Sequence, residues 1–216
     1  MNRESGLSAG RVIALVGCLL GLLLLVLQFS LTVPARLALG DDLPGALGFF
    51  FSFFTILSNM ALVAAYASEV TGWGWLGWFR SARTRAMLAA AIAMVMIFYH
   101  VVLAPIWDPQ GLFKLADIGL HSVTPVFFIA WWIGFNRHGT LRLSDLPMML
   151  LPTFVYFLYA MARGALVGAY PYPILEANRL GYVQVGLNAL MMVVFLLVLS
   201  LIVVGLDRVL SKRMPG

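Results

Sequence analysis

The chain has 216 residues, of which 62% are hydrophobic and only 11% are charged. Soluble domains are about half apolar and one-quarter charged, so this composition excludes an ordinary water-soluble globule. The net charge of +5 comes from Lys and Arg residues scattered between apolar runs, not from a basic patch, and this argues against nucleic acid as a partner. The single cysteine, Cys18, excludes an intrachain disulfide and a cysteine-based metal site.

The first apolar run follows Arg3 and Arg11 and covers residues 12–31. A basic start before an apolar run is also typical of a signal peptide, but this run is too long for one and no convincing small-residue cleavage pattern follows it. We predict an uncleaved first transmembrane helix.

Apolar runs of about 20 residues, the length that crosses ~30 Å of hydrocarbon, occur six times. The predicted helices cover residues 11–33, 46–67, 86–106, 115–135, 146–167 and 181–205. The expected fold class is therefore all-α, a polytopic bundle of six transmembrane helices that forms one domain over residues 1–216. We expect an integral membrane protein.

The distribution of Lys and Arg predicts the orientation of this bundle. Ten of these residues lie in the two tails and in the second and fourth loops between the predicted helices. The first, third and fifth loops carry four, if Arg163 near the end of the fifth helix is counted with the fifth loop. Because positive residues are retained on the cytoplasmic side, both termini are predicted to be cytoplasmic.

Polar residues inside the predicted helices recur at helical spacing, and each set forms one stripe. The sets are Ser52, Thr55 and Asn59; Tyr99 and His100; Asp117, His121 and Thr124; Tyr156, Tyr159 and Arg163; and Gln184 and Asn188. Polar side chains are costly in hydrocarbon, so the stripes should face the bundle interior and mark a site. Packing between helices is the simpler explanation for any one of these residues.

Several of these residues are predicted to lie at a similar depth in the membrane and so to form one polar layer. With ~1.5 Å of rise per residue along a straight helix, Thr55, His100, His121 and Asn188 all fall ~9–13 Å below the outer ends of their helices. Arg163 falls nearer the outer interface. Pro125 cannot donate to the carbonyl four residues earlier, so we also predict a bend at His121.

The layer contains the groups that nucleophilic catalysis needs. Thr55 can act as the nucleophile and His121 as the general base, and Asp117 lies one turn away, where it can orient the imidazole. A neutral histidine is favoured in apolar surroundings. Asn59, Asn188 or a freed backbone group can polarise a carbonyl.

Arg163 suits an acidic head group, and His100 is a supporting candidate. Residues 6–10 match the nucleophile-elbow pattern Gly-x-Ser-x-Gly, but no strand precedes them and we set the match aside. No metal site or cofactor is expected, because the chain has only three histidines and His138 falls in the fourth loop.

Three segments carry a resemblance to a known family. They are the stretch Phe-Phe-Thr-Ile-Leu-Ser-Asn at 53–59, His121 with Pro125 and Trp131, and Tyr-Pro-Tyr-Pro-Ile-Leu-Glu at 170–176. In order and spacing the chain resembles the androgen-induced six-helix membrane proteins, and most closely their bacterial branch. The resemblance implies a threonine hydrolase of fatty acid esters of hydroxy fatty acids, with Thr55 as nucleophile and His121 as its partner. It also implies a bacterial inner (cell) membrane and membrane lipids or fatty acid esters as partners.

Two other functions fit the same residues. A lipid-binding or small-molecule transport protein would use the polar layer as a cavity without chemistry. Alternatively, His100 and His121 on neighbouring helices could bind haem axially, as in membrane cytochromes.

Overall fold

A computed structural model describes residues 8–212, and all the regular structure in this range is helical. Its α-helices are α1 (Ala9–Ala38), α2 (Leu43–Phe50), α3 (Phe54–Thr71), α4 (Ala82–Phe98), α5 (Gly111–Ile118), α6 (Thr124–Phe135), α7 (Leu146–Val167) and α8 (Ala177–Ser211). Short 3₁₀ turns cover Gly74–Arg80, Leu143–Asp145 and Pro173–Leu175. The predicted all-helical class is confirmed for this part of the chain.

Five of the described helical segments are long and apolar enough to cross a membrane, and α2 with α3 adds a sixth if the bent pair is one span. The five are Ala9–Ala38, Ala82–Leu103, Gly111–Phe135, Leu143–Val167 and Ala177–Ser211. They coincide with five of the predicted segments, but most ends differ by a few residues. The first helix, for example, continues through Pro34, whose missing N–H removes only one hydrogen bond near the end of the helix.

Some of the sequence-based predictions fall on residues outside the described range. These are the contributions of Arg3 and Arg213 to the charge count and the first two residues of the pentapeptide at 6–10. The serine of that pentapeptide, Ser8, directly precedes α1.

The prediction of one continuous helix over 46–67 is wrong. The chain turns by 73° between α2 and α3, and Phe53 is extended. The hydroxyl of Ser52 donates to the Phe49 carbonyl at 2.6 Å, in competition with helical hydrogen bonds. The hydroxyls of Tyr156 and Tyr159 on α7 donate to the carbonyls of Ser52 and Phe51 at 2.8 and 3.4 Å. These tertiary bonds supply donors to two of the backbone carbonyls at the break.

Two π-helical segments interrupt the other helices around the site. Residues Tyr99–Leu103 continue α4, and Gly119–Val123 connect α5 to α6. Each segment contains one of the candidate histidines, His100 and His121. Single π-helical turns inside α-helices occur frequently at functional sites.

We call the end of the bundle where α3 begins and α4 ends the site end. Towards the opposite end, Gly17 and Gly21 of α1 let α3 approach closely, since a Cβ at Gly17 would lie 2.6 Å from the Tyr66 ring. At that end the buried Arg85 pairs with Glu69 at 2.7 Å, and Nδ1 of His138 lies 3.2 Å from Asp207. The first contact joins α4 to α3, and the second joins the loop after α6 to α8.

Candidate functional site

The centre of the site is a contact between Thr55 and His121. The Thr55 hydroxyl oxygen lies 3.1 Å from Nε2 of the imidazole. Thr55 is in the first turn of α3 and only 6% exposed, whereas His121 is in the middle of the Gly119–Val123 segment. The straight helix assumed in predicting the depth of Thr55 is broken just before this residue. The two side chains nevertheless meet.

Asp117 determines which nitrogen of His121 carries the proton. Nδ1 of His121 lies 3.1 Å from the Asp117 carboxylate and 2.9 Å from the Asp117 carbonyl oxygen. Both oxygens are acceptors, so Nδ1–H donates to them. In the neutral imidazole Nε2 is then free to accept the Thr55 hydroxyl proton. The orienting role of Asp117 stays a prediction, and its carboxylate lies within hydrogen-bond distance of the imidazole.

Tyr99 covers the imidazole and completes the hydrogen-bond chain. Its ring stacks on that of His121 with centroids 4.2 Å apart and an interplanar angle of 14°. Its hydroxyl donates to the second carboxylate oxygen of Asp117. The sequence shows Tyr99 on a polar stripe but predicts no role for it, because residue spacing does not reveal a stacking partner from another helix.

Pro125 acts on a different carbonyl from the one predicted. In the π-helical segment the Thr124 N–H donates to the Gly119 carbonyl, five residues back. With this spacing Pro125 faces the Leu120 carbonyl, which receives no backbone donor from the proline. The side-chain amide of Asn59 donates to this carbonyl at 3.1 Å. The chain is therefore π-helical at His121, where a bend was predicted, and the carbonyl that Pro125 leaves without a backbone donor belongs to Leu120.

Asn59 and Asn188, predicted to polarise a substrate carbonyl, make hydrogen bonds within the protein: Asn59 uses both of its amide N–H groups, and Asn188 uses one of its two. Asn59 also donates to the Thr55 carbonyl at 2.8 Å and accepts a hydrogen bond from the Thr124 hydroxyl. Asn188 donates to the Ile174 carbonyl at 2.8 Å and accepts from Gln184 at 3.0 Å. Asn59 thus joins α3 to the His121 segment, and Asn188 fixes the loop between α7 and α8.

That loop brings Tyr172 to the site. Its hydroxyl oxygen lies 3.4 Å from the Thr55 backbone nitrogen and 3.5 Å from the Thr55 hydroxyl oxygen. Burial raises the pKa of the Tyr172 phenol, so the group keeps its proton. In the sequence, the Tyr-Pro-Tyr-Pro resemblance is the one signal that includes Tyr172, since a loop residue shows no periodicity.

His100 and Arg163 are not part of this cluster. His100 is exposed, and its Nε2 lies 3.0 Å from the Ser122 hydroxyl. Arg163 donates to the Ala169 carbonyl at 3.2 Å and is two turns of α7, ~10 Å, beyond Tyr156. Neither residue lines the cavity beside Thr55.

A cavity of about 180 Å³ opens from Thr55, His121 and Tyr172 into the space between α4, α7 and α8. Apart from these residues, Thr153 and Tyr156, its walls are formed by apolar side chains. The polar cluster therefore lies beside a space suited to a hydrocarbon chain.

The geometry does not suit haem. Both ring nitrogens of His121 are engaged, and Tyr99 covers one face of the imidazole. To bind His121, a haem iron would have to displace Thr55 or Asp117. The other proposed axial ligand, His100, is bonded to Ser122. Within residues 8–212, no group of three or more His, Cys, Asp or Glu side chains is placed to hold a metal ion.

Comparisons of the chain with models of protein families, with curated proteins and with solved structures found no match.

Proposed function

We propose that the protein is an intramembrane hydrolase of lipid esters with Thr55 as nucleophile and His121 as general base, a bacterial relative of the androgen-induced six-helix proteins. The hydrogen-bond chain from Thr55 through His121 to Asp117 carries the proposal. It has the arrangement of nucleophile, base and orienting carboxylate that defines catalytic triads on unrelated folds. Fatty acid esters of hydroxy fatty acids are the substrate class that the resemblance suggests.

The first half of the reaction follows from the proton positions. His121 Nε2 takes the Thr55 proton as the hydroxyl oxygen attacks the acyl carbonyl, and Asp117 stabilises the imidazolium that forms. The carbonyl π electrons move to its oxygen, which becomes an oxyanion. When this intermediate collapses, the ester bond breaks and His121 gives its proton to the leaving alcohol. The acyl group stays on Thr55.

The second half repeats these steps with water. His121 removes a proton from a water molecule, whose oxygen attacks the acyl-threonine carbonyl. Collapse of this second intermediate breaks the bond to Thr55, and His121 returns the proton to the threonine oxygen. The fatty acid leaves and the resting hydrogen bonds form again.

Substrate access from lipid is supported by the exposure of the cavity walls. Phe154 on α7 and Leu190 on α8 line the cavity and are 51% and 59% exposed, respectively. An opening between α7 and α8 would admit an acyl chain sideways from the bilayer. Arg163, farther along α7, would then meet an acidic head group near the interface.

The orientation that fits this function places both termini in the cytoplasm and the site end toward the outer leaflet of the inner (cell) membrane. Arg80 precedes α4, and Arg83 and Arg85 lie in its first turn, at the opposite end of the bundle, where the positive-inside tendency favours the cytoplasm. Reporter fusions at Gly216 should be active inside the cell. Activity outside the cell would reverse the orientation.

Hydrolysis of a panel of lipid esters by purified protein tests the proposal, with a serine- and threonine-directed fluorophosphonate as a probe of covalent labelling. We expect Thr55→Ala and His121→Ala to abolish turnover and Thr55→Ala to abolish labelling. Thr71→Ala removes a hydroxyl from the far end of α3, where it donates to the Ala67 carbonyl, and should leave both unchanged. Turnover in well-folded Thr55→Ala protein would refute the assignment.

The apolar cavity also suits a lipid-binding or transport protein without catalysis. Such a protein would bind a fatty acid or ester with the same affinity in the wild type and in Thr55→Ala, and neither would release product. Binding without hydrolysis across the panel would favour this alternative.

A further inference from the structure

The Tyr172 hydroxyl lies beside the proposed nucleophile, Thr55. It borders the cavity together with Thr55 and His121, and it lies close to both the backbone nitrogen and the hydroxyl oxygen of Thr55. We propose that Tyr172 is a catalytic residue that donates its hydroxyl hydrogen bond to the oxyanion formed when Thr55 attacks. This inference rests on the proposed hydrolase function.

The distances leave a position for an oxyanion between two donors. The Tyr172 oxygen and the Thr55 nitrogen are 3.4 Å apart, so both can lie ~2.9 Å from a third atom, the separation that oxyanion donors require. Thr55 is the second residue of α3, and the first N–H groups of a helix have no intrahelical acceptor. Among the described residues, the one hydrogen-bond acceptor of its N–H is the Tyr172 hydroxyl, at the long distance of 3.4 Å. A substrate oxygen can replace that bond with a shorter one.

The backbone and the neighbouring rings hold Tyr172 in place. Pro171 and Pro173 flank the residue and limit the conformations of the loop. The Phe53 ring packs edge-on against the tyrosine ring, with centroids 5.8 Å apart and an interplanar angle of 87°. The hydrogen bond from Asn188 to Ile174 fixes the following turn at 2.8 Å. A donor fixed before the reaction needs little reorganisation when charge develops.

The proton of Tyr172 stays on Tyr172 throughout this role. In the resting site the hydroxyl accepts from the Thr55 N–H, and its own hydrogen faces the Thr55 hydroxyl oxygen. During attack that oxygen forms its bond to carbon, and the Tyr172 O–H turns to the former carbonyl oxygen. The proton lost by Thr55 goes to His121, so Tyr172 supplies a hydrogen bond and no proton.

Tyr172→Phe is the decisive variant because it removes one oxygen and keeps the ring. We expect kcat for ester hydrolysis to fall ~10²-fold with little change in KM, the usual effect of losing one oxyanion donor. Tyr170→Phe is the matched control. It changes the same motif at a residue whose buried hydroxyl has no hydrogen-bond partner within the described part of the chain, and which does not line the cavity. It should keep wild-type kcat.

A second measurement separates an oxyanion donor from a structural residue. A lipid trifluoromethyl ketone forms a charged tetrahedral adduct with the nucleophile, whereas the corresponding alkyl ketone binds without forming one. We expect Tyr172→Phe to weaken binding of the trifluoromethyl ketone ~10²-fold and to leave alkyl ketone binding unchanged. Equal weakening of both ligands, or wild-type kcat in Tyr172→Phe, would overturn the inference and leave the hydrolase proposal standing. Absence of hydrolysis in the wild type would overturn the hydrolase proposal, and this inference with it.

Discussion

The hydroxyl oxygen of Thr55 lies 3.1 Å from Nε2 of His121, although 66 residues separate them in the chain. Each residue lies where a regular α-helix is interrupted, Thr55 just after the 73° turn between α2 and α3 and His121 inside a π-helical segment. Asn59 links the two interruptions through its bonds to the Thr55 and Leu120 carbonyls.

Asp117→Asn should reduce hydrolysis strongly while the site keeps its shape. The amide can present its NH₂ group to Nδ1 of His121, which would place the imidazole proton on Nε2 and prevent it from accepting the Thr55 proton. We expect kcat to fall ~10³–10⁴-fold, as in serine proteases with the same change. Steady-state kinetics with a lipid ester measures the effect. Tyr99→Phe, which keeps the stacked ring and the carboxylate, should lose much less, and equal losses would contradict the tautomer argument.

Asn59→Ala should destabilise the fold as well as the site. The change leaves the Leu120 carbonyl and the Thr124 hydroxyl without the hydrogen bonds that Asn59 makes to them. The surroundings are buried, since Asn59 itself is only 1% exposed. The expected loss in the free energy of unfolding is ~2–4 kcal/mol, from unsatisfied buried polar groups and lost packing. Denaturant titration of the protein in detergent would show this loss. Unfolding at the wild-type midpoint would mean that water replaces the amide.

Pro125→Ala should weaken catalysis without weakening the fold. An alanine N–H can donate to the His121 carbonyl four residues back, which favours an ordinary α-helix over the π-helical segment. An α-helical turn contains fewer residues than a π-helical turn, so this change of register would rotate His121 relative to Thr55. We expect kcat/KM to fall ~10-fold or more, because small misplacements of catalytic groups have large effects on rate. Thermal unfolding at or above the wild-type temperature should accompany the loss. Unchanged kcat/KM would show that Pro125 does not maintain the segment.

Gly164→Ala should displace the loop that carries Tyr172. A Cβ at Gly164 would lie 2.1 Å from the Tyr170 ring, so the aromatic side chain must move. We expect ~1–3 kcal/mol of destabilisation from overpacking, together with reduced hydrolysis. Gly186→Ala on α8 is the matched control, since nothing lies within 4 Å of its added Cβ. Its stability should be unchanged or slightly higher. Equal stability of the two variants would contradict the close packing of Tyr170.

Most of the helical segments could be predicted from the sequence because each depends on a local property, the length of an apolar run. The break between α2 and α3 could not, since residues 46–67 form one predominantly apolar run without a proline, and the break is stabilised by the hydroxyls of Tyr156 and Tyr159 from a distant helix. The π-helical segment Gly119–Val123 could not be predicted from the sequence either. Pro125 marks the irregularity in the sequence, but the Asn59 amide decides which carbonyl receives a replacement donor.

By itself, the sequence determined the helical class, five of the potential spans and the polar stripes on which Thr55, His121 and Asp117 lie, because composition and periodicity act within one helix at a time. The tertiary structure alone decided which polar residues touch. It brings Thr55 into contact with His121 and adds Tyr99 and Tyr172 to the site. The amides of Asn59 and Asn188 bind backbone carbonyls. His100 and Arg163 lie outside the cluster. The physical reason is that hydrogen bonds depend on distances of a few tenths of an ångström between different helices, and breaks, π-helical turns and loop anchors set those distances.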